Sequence, residues 1–202
     1  MTAGPRCTPR TQAALGLALC VVLAWPPLRH ALEASMWRHM VLQFPLLMAA
    51  GALLAAALPP RARGAVARWN AHGIAGLVLV AVVLAVLMVP RVLDLALRDG
   101  TIEAVKGAAL VLAGAALRLS WRAAGLVVQG FFLGNVLPMT AVVGQLYIDA
   151  PLRLCNAYLL DDQARLGQWL IALAVLLALA WLAQVGWVMA RREGPLLAPD
   201  NA

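Results

Sequence analysis

Residues 168–190 read QWLIALAVLLALAWLAQVGWVMA, with no acidic or basic side chain anywhere between Gln168 and Ala190. A helix needs about 20 apolar residues to cross the hydrocarbon core of a bilayer, and this stretch has them. Its apolar positions are continuous rather than alternating, so it reads as a helix and not as a barrel strand. Five further segments read the same way: residues 11–27, 36–58, 70–89, 103–117 and 123–146. The fourth is the shortest and is rich in Gly and Ala. The expectation is an all-α polytopic transmembrane bundle of about six helices, forming one integral membrane domain over residues 1–202.

Composition agrees. Of 202 residues, 63% are hydrophobic and only 12% charged, against about half and a quarter in soluble domains. Mean hydropathy is +0.84. Disordered, collagenous and disulfide-stapled classes are excluded by 16 Gly, 12 Pro and 3 Cys.

The basic residues set an orientation, because cytoplasmic loops carry the Lys/Arg excess. With the N-terminus inside, nine of the sixteen bases fall on the cytoplasmic side: Arg6, Arg10, Arg61, Arg63, Arg68, Arg118, Arg122, Arg191 and Arg192. Only Glu193 and Asp200 join them, and nine against two leaves +7. The outer face sets seven bases against Glu33, Asp94, Asp99, Glu103, Asp149, Asp161 and Asp162 and is neutral. Trp25, Trp37 and Trp169 fall at the outer boundary, Trp69, Trp121 and Trp187 at the inner one. Both termini are expected in the cytoplasm, with the chain in a bacterial inner membrane. Arg6 and Arg10 before an apolar core also suit a signal peptide, but no small-x-small cleavage site precedes Trp25-Pro26-Pro27, so the first segment reads as a retained helix. The scattered inner arginines follow from the insertion rule and do not point to nucleic acid.

Polar residues within the spans gather in the fifth segment: Gln129, Asn135, Thr140 and Gln145, with Pro138 and a Gly130/Gly134 pair suited to close helix approach. This segment is expected at the bundle centre. No charged relay is legible at mid-membrane and no inverted repeat is visible, which argues against a pump or transporter. No catalytic motif is present, so the chain is not expected to be an enzyme. Cys7, Cys20 and Cys155 fall inside, mid-membrane and outside, so no disulfide joins them. Asp161 and Asp162, just before the last helix, suit capping of its first turn.

The second segment carries the most pointed pattern. In MWRHMVLQFP, Met36, His39, Met40 and Gln43 fall on one stripe of a helix with 3.6 residues per turn. Thioethers with an imidazole suit Cu(I); packing alone also accounts for such a stripe. Other candidate donors on the outer side are His30, Glu33, Met88, Glu103, Met139, Cys155, Asp161 and Asp162. His72 sits at the inner end, apart from them.

The order of these features resembles the CtaG family of caa3-type cytochrome c oxidase assembly factors, over about residues 34–192. The resemblance lies in SMWRHMVLQFPLLMAAG from Ser35, the basic LPPRARGAVARW from Leu58, MVPRVLDLALRDG from Met88, and QLYIDAPLRLCNAYLLDDQARLGQWL from Gln145. The closing DDQARLG is its most specific element. His39 and Met40 match the family's second His-Met pair, and Asp162 with Gln163 its Asp-Gln pair. Ser35 and Met88 stand where the family has histidines, and its His pair near Glu103 and Gly107 is absent. The resemblance implies a non-enzymatic factor serving a respiratory oxidase, with oxidase subunits or a copper carrier as partners and Cu(I) as transient cargo at the outer face. His39 and Met40 would then be principal ligands, Met36 a supporting one, and Asp162 the partner that orients the imidazole. The other expectation is a metal-free scaffold subunit of a membrane respiratory complex.

Overall fold

The computed structural model describes residues 8–193, and among them every regular element is a helix. Arg6, Cys7 and Asp200 lie outside the described residues, as do the side chains of Arg192 and Glu193.

Prolines and small polar caps divide the chain. Thr8 caps α1 (Pro9–Ala24), accepting from the Thr11 N–H at 3.3 Å. Pro26 and Pro27 then open α2 (Pro26–Glu33), because proline suits a helix's first turn but not its interior. The axis turns by 71° between the two. A π-turn (Arg38–Gln43) runs into α3 (Phe44–Leu54) and a short 3₁₀ turn. Pro60 starts α4 (Pro60–Trp69), which meets α5 (Ile74–Leu87) at 84°. At that corner Gly73 sits at φ +70°, and Asn70 accepts from the Gly76 N–H and donates to Ser120 Oγ at 2.8 Å. Pro90 opens α6 (Pro90–Arg98), and Asp99 caps α7 (Gly100–Asp149) by accepting from the Thr101 N–H at 2.7 Å. The chain ends in α8 (Leu160–Glu193).

Three helical stretches are long and apolar enough to cross a membrane: Arg38–Ala57, Gly100–Asp149 and Leu160–Arg191. Counting each bent pair, α1 with α2 and α4 with α5, as one span raises the number to five.

Residues 103–117 and 123–146, read from the sequence as separate segments, both lie in α7, which has two arms that meet at Gly125. Fifty helical residues would measure about 75 Å if straight. Gly125, at φ 64° and ψ 174°, breaks the helix in a region open essentially to glycine alone. Gln129 Nε2 donates to the Trp121 carbonyl at 2.7 Å, although eight residues of straight helix span about 12 Å. The second arm therefore folds back on the first. At its far end Tyr147 donates to the Met88 carbonyl at 2.9 Å, at the end of the bundle from which α7 sets out.

Lipid-soluble helices gain little from excluding one another's apolar surface, so close packing must hold them. Small residues provide it where α3 crosses the first arm of α7. A β-carbon on Gly114 would lie 1.8 Å from the Met48 carbonyl oxygen, and one on Gly51 equally close to that of Val111. Gly144 and Gly167 meet in the same way between the second arm and α8. The expected Gly130/Gly134 pair does not act as one: Gly130 faces the Trp181 ring, and nothing approaches Gly134. The fifth segment's polar groups bond locally rather than across the bundle, and Gln129 Oε1 is buried without a partner among the described residues. Asn135, Thr140 and Gln145 bond to Phe131, Val136 and Asp149, all within their own helix.

Candidate functional site

Burial concentrates polar side chains at one end of the bundle. The turn after Trp25 swings α2 across the helix ends and brings Glu33 over the π-turn, while Asp99 starts α7 so that Glu103 and Lys106 face the same point. Lys106 is 2% exposed and His39 fully buried. The Lys106 ammonium lies 2.6 Å from His39 Nε2, 2.6 Å from Glu103 Oε2, 3.3 Å from Gln43 Oε1 and 3.8 Å from Glu33 Oε1. Gln43 Nε2 donates to Glu33 at 3.4 Å, and Arg29 reaches the same carboxylate at 3.7 Å. Two cations thus face two carboxylates, a balance that buried ions require.

The imidazole's tautomer follows from its neighbours. Tyr158 has one hydroxyl proton and donates it to the Glu33 carbonyl at 2.8 Å. At 2.8 Å from His39 Nδ1 it therefore accepts, and Nδ1 carries the ring proton. Nε2 keeps its lone pair and accepts from the Lys106 ammonium. Burial, then nearby negative charge, pushes the Tyr158 phenol well above its ordinary pKa, so it stays a donor.

Tyr158 is held by its loop, and the loop by Asp94 of α6. Asp94 accepts from the Cys155 thiol at 2.8 Å, from the backbone N–H groups of Asn156 at 2.9 Å and Ala157 at 3.1 Å, and from the Asn156 side chain. Burial pushes the Asp94 carboxyl up, but these hydrogen bonds outweigh it and hold it below the usual carboxylate range. Burial and the adjacent carboxylate push the Cys155 thiol up to about 12. Gln163 ties the loop from the other side, accepting from the Leu154 N–H at 2.8 Å and donating to the Tyr147 carbonyl at 3.1 Å. Beside the cluster a pocket of about 330 Å³ opens, lined by Arg29, His30, Glu33, Arg98 and Glu103 among others.

Met36, His39 and Met40 are all buried on the segment that the sequence singled out, and Gln43 belongs to the same cluster. Asp162 takes a different part from the one expected of it. Its carboxylate accepts from the Ser35 hydroxyl at 2.6 Å and from the Met36 N–H, capping the π-turn segment. The imidazole is oriented by Tyr158 instead. Asp162 thus stabilises the start of a neighbouring helix while standing, with Asp161, in the first turn of α8. Of the other outer donors, Glu33 and Glu103 join His39 only through Lys106, Cys155 is engaged by Asp94, and Asp161 is exposed.

Among the described residues no three His, Cys, Asp or Glu side chains are placed to hold a metal. The imidazole donor set does not fit Cu(I) in this arrangement. Its one free lone pair is covered by an ammonium, and a fixed positive charge 2.6 Å away opposes a second cation there.

Lys106 and Tyr158 were missed by sequence reasoning. The signal for the first was Glu103-x-x-Lys106, an i,i+3 pair three residues into an otherwise apolar run. Tyr158 carried no local signal; only the long-range loop brings it to His39. No family model, curated protein or solved structure matches the chain.

Proposed function

We propose that this chain is a multi-pass accessory factor of a bacterial respiratory oxidase. It crosses the inner membrane six times with both termini in the cytoplasm and receives a partner subunit at the charged pocket beside Lys106. The observation that carries this reading is the buried Lys106–His39–Glu103–Glu33 cluster with an open pocket at its flank. Ionisable groups within membrane helices are expensive and tend to mark sites of function. The pocket supplies both signs of charge, which suits recognition of a polar segment more than of an apolar helix. The six-span reading counts the arms of α7 separately, since Gly125 turns the chain back. It places the cluster outside, where Trp37 and Trp169 stack at 6.1 Å in the manner of an interfacial belt. The oxidase itself comes from the CtaG-like motifs alone.

The test is co-purification and oxidase assembly in cells. Tagged protein is expected to carry immature oxidase subunits. Lys106→Met is expected to lower that recovery, and active oxidase, about tenfold while the protein still accumulates, as for loss of one partner in a buried charge pair. Arg98→Glu, on the pocket rim, gives a second route should Lys106→Met fail to accumulate. Unchanged oxidase activity in cells lacking the protein would overturn the proposal, and stoichiometric recovery with the mature complex would favour the scaffold-subunit reading.

Copper cargo remains as a second reading because Met36, His39 and Met40 share one buried stripe. It requires Lys106 to leave Nε2. A Cu(I) chelator competition then expects Lys106→Leu, which adds no donor atom, to bind more tightly than wild type and His39→Ala to bind least. No binding by any of the three leaves the metal-free reading.

A further inference from the structure

A larger cavity, about 1080 Å³, runs along the bundle between α3, α5, α8 and both arms of α7. That volume stands at the top of the roughly 300–1,000 Å³ range of small-molecule sites. Most of its length is apolar, walled by residues such as Phe44, Met48, Val80, Leu133, Val136 and Leu173. One end is different. There Arg63 of α4 and Arg118 and Arg122 of the first arm line the mouth, all three exposed.

None of these arginines meets a carboxylate among the described residues. Arg63 donates to the carbonyls of Ala56 and Leu58, at 3.2 and 3.4 Å. Arg118 donates to the Ala52 carbonyl at 3.0 Å and to Gln12 Oε1 at 2.7 Å. The acids that form ion pairs, Glu33 and Glu103, belong to the Lys106 cluster. Lys106 and Arg118 stand on one helical arm, roughly 18 Å apart along its axis. Among the described residues the mouth therefore carries positive charge with no carboxylate paired to it, leading into an apolar interior.

We infer that this cavity holds one phospholipid with an anionic headgroup, its acyl chains between α3, α8 and the second arm of α7 and its phosphate against Arg63, Arg118 and Arg122. The polar wall residues are already satisfied: Thr140 bonds to the Val136 carbonyl and Asn70 to Ser120 and Gly76. A small polar ligand would find nothing inside to orient it. A long apolar body with an acidic end matches both parts, and guanidinium groups bind phosphate through paired hydrogen bonds. Basic pockets between helices on the cytoplasmic side recognise anionic headgroups in this way. The inference needs the chain to sit in a membrane and is independent of any oxidase.

Native mass spectrometry of the detergent-purified full chain tests it, titrating phosphatidylglycerol and phosphatidylcholine with identical acyl chains. The expected result is one tightly held phosphatidylglycerol per chain, preferred about tenfold, the equivalent of 1.4 kcal/mol. Arg118→Gln should bring the two lipids near parity, and Thr140→Phe, which narrows the apolar channel, should weaken both. Equal retention of the two lipids by the wild type would overturn the inference, and that comparison needs no variant. Loss of oxidase assembly in cells would not accompany such a result, so the two readings fail separately.

Discussion

An unpaired ammonium away from water costs several kcal/mol, and Lys106 avoids that cost through partners on its own helix, on the π-turn and on α2. The same economy of partners operates a few residues from the cluster, in the loop that carries Tyr158. Its stability has opposite pH limits. Asp94 is held below its ordinary value of about 4, so what it contributes is present above that value and lost as pH falls through its folded pKa. Cys155 is raised to about 12, so its contribution is complete below the ordinary thiol range and lost as pH rises through the folded value. At pH 7–8 Cys155, 1% exposed, is expected to resist iodoacetamide in the folded protein. Asp94→Ala should raise its alkylation at least tenfold, as measured by peptide mass. Rapid labelling of the wild type would show that this loop is not held as described.

At the level of elements, the decisive contacts are made by atoms that are missing. Gly107 and Gly114 lie on the same arm of α7 and should respond oppositely to one methyl group. Nothing surrounds Gly107, so Gly107→Ala is expected to stabilise by up to about 1 kcal/mol through helix propensity. Gly114→Ala must push α3, at Met48, away from the first arm of α7 and is expected to cost about 1–3 kcal/mol. Thermal unfolding in detergent compares the two directly, and equal effects would contradict the packing. The sequence showed every apolar run but not which glycines meet. Gly130 and Gly134 have the spacing of an approach motif, whereas Gly51 meets Val111 and Gly114 meets Met48, contacts between residues far apart in the chain that only the fold makes. For the same reason the basic stretch from Leu58 read as a loop yet forms α4, and the segment from Pro90 forms α6. Both are short amphipathic helices opened by prolines, and apolar length alone does not reveal them.

The whole molecule adds a constraint that no single span carries. If Gly125 returns the chain to its starting side, the loop 150–159 and the turn at Asp99 share a face opposite both termini. Reporter fusions at either terminus are therefore expected to be active only in the cytoplasm. Arg153→Cys, at an exposed position, should react with a membrane-impermeant maleimide in intact spheroplasts. Labelling of Arg153→Cys only after lysis would reverse the orientation. Hydropathy was enough for the helical class and for the long apolar helices; the side on which the termini lie is what these fusions and labels decide. The cluster was half legible: His39 and Gln43 stood out by type and spacing, and Glu33 and Glu103 by side. The counter-ion that changes their chemistry was hidden, because a lysine near a helix end is ordinarily solvated.

The π-turn from Arg38 to Gln43 takes up one residue more than a regular helix would. Removing a single residue there would wind the backbone back to its usual pitch and swivel everything upstream by about 100°. Phe44–Leu54 would keep its bed against α1 and α7, while the Asp162 clasp on Met36 and the Tyr158 grip on His39 would both be dislodged. One amino acid of slack thus separates the scaffold from its polar crown, so the crown's geometry is free to be altered without rebuilding the rods beneath it.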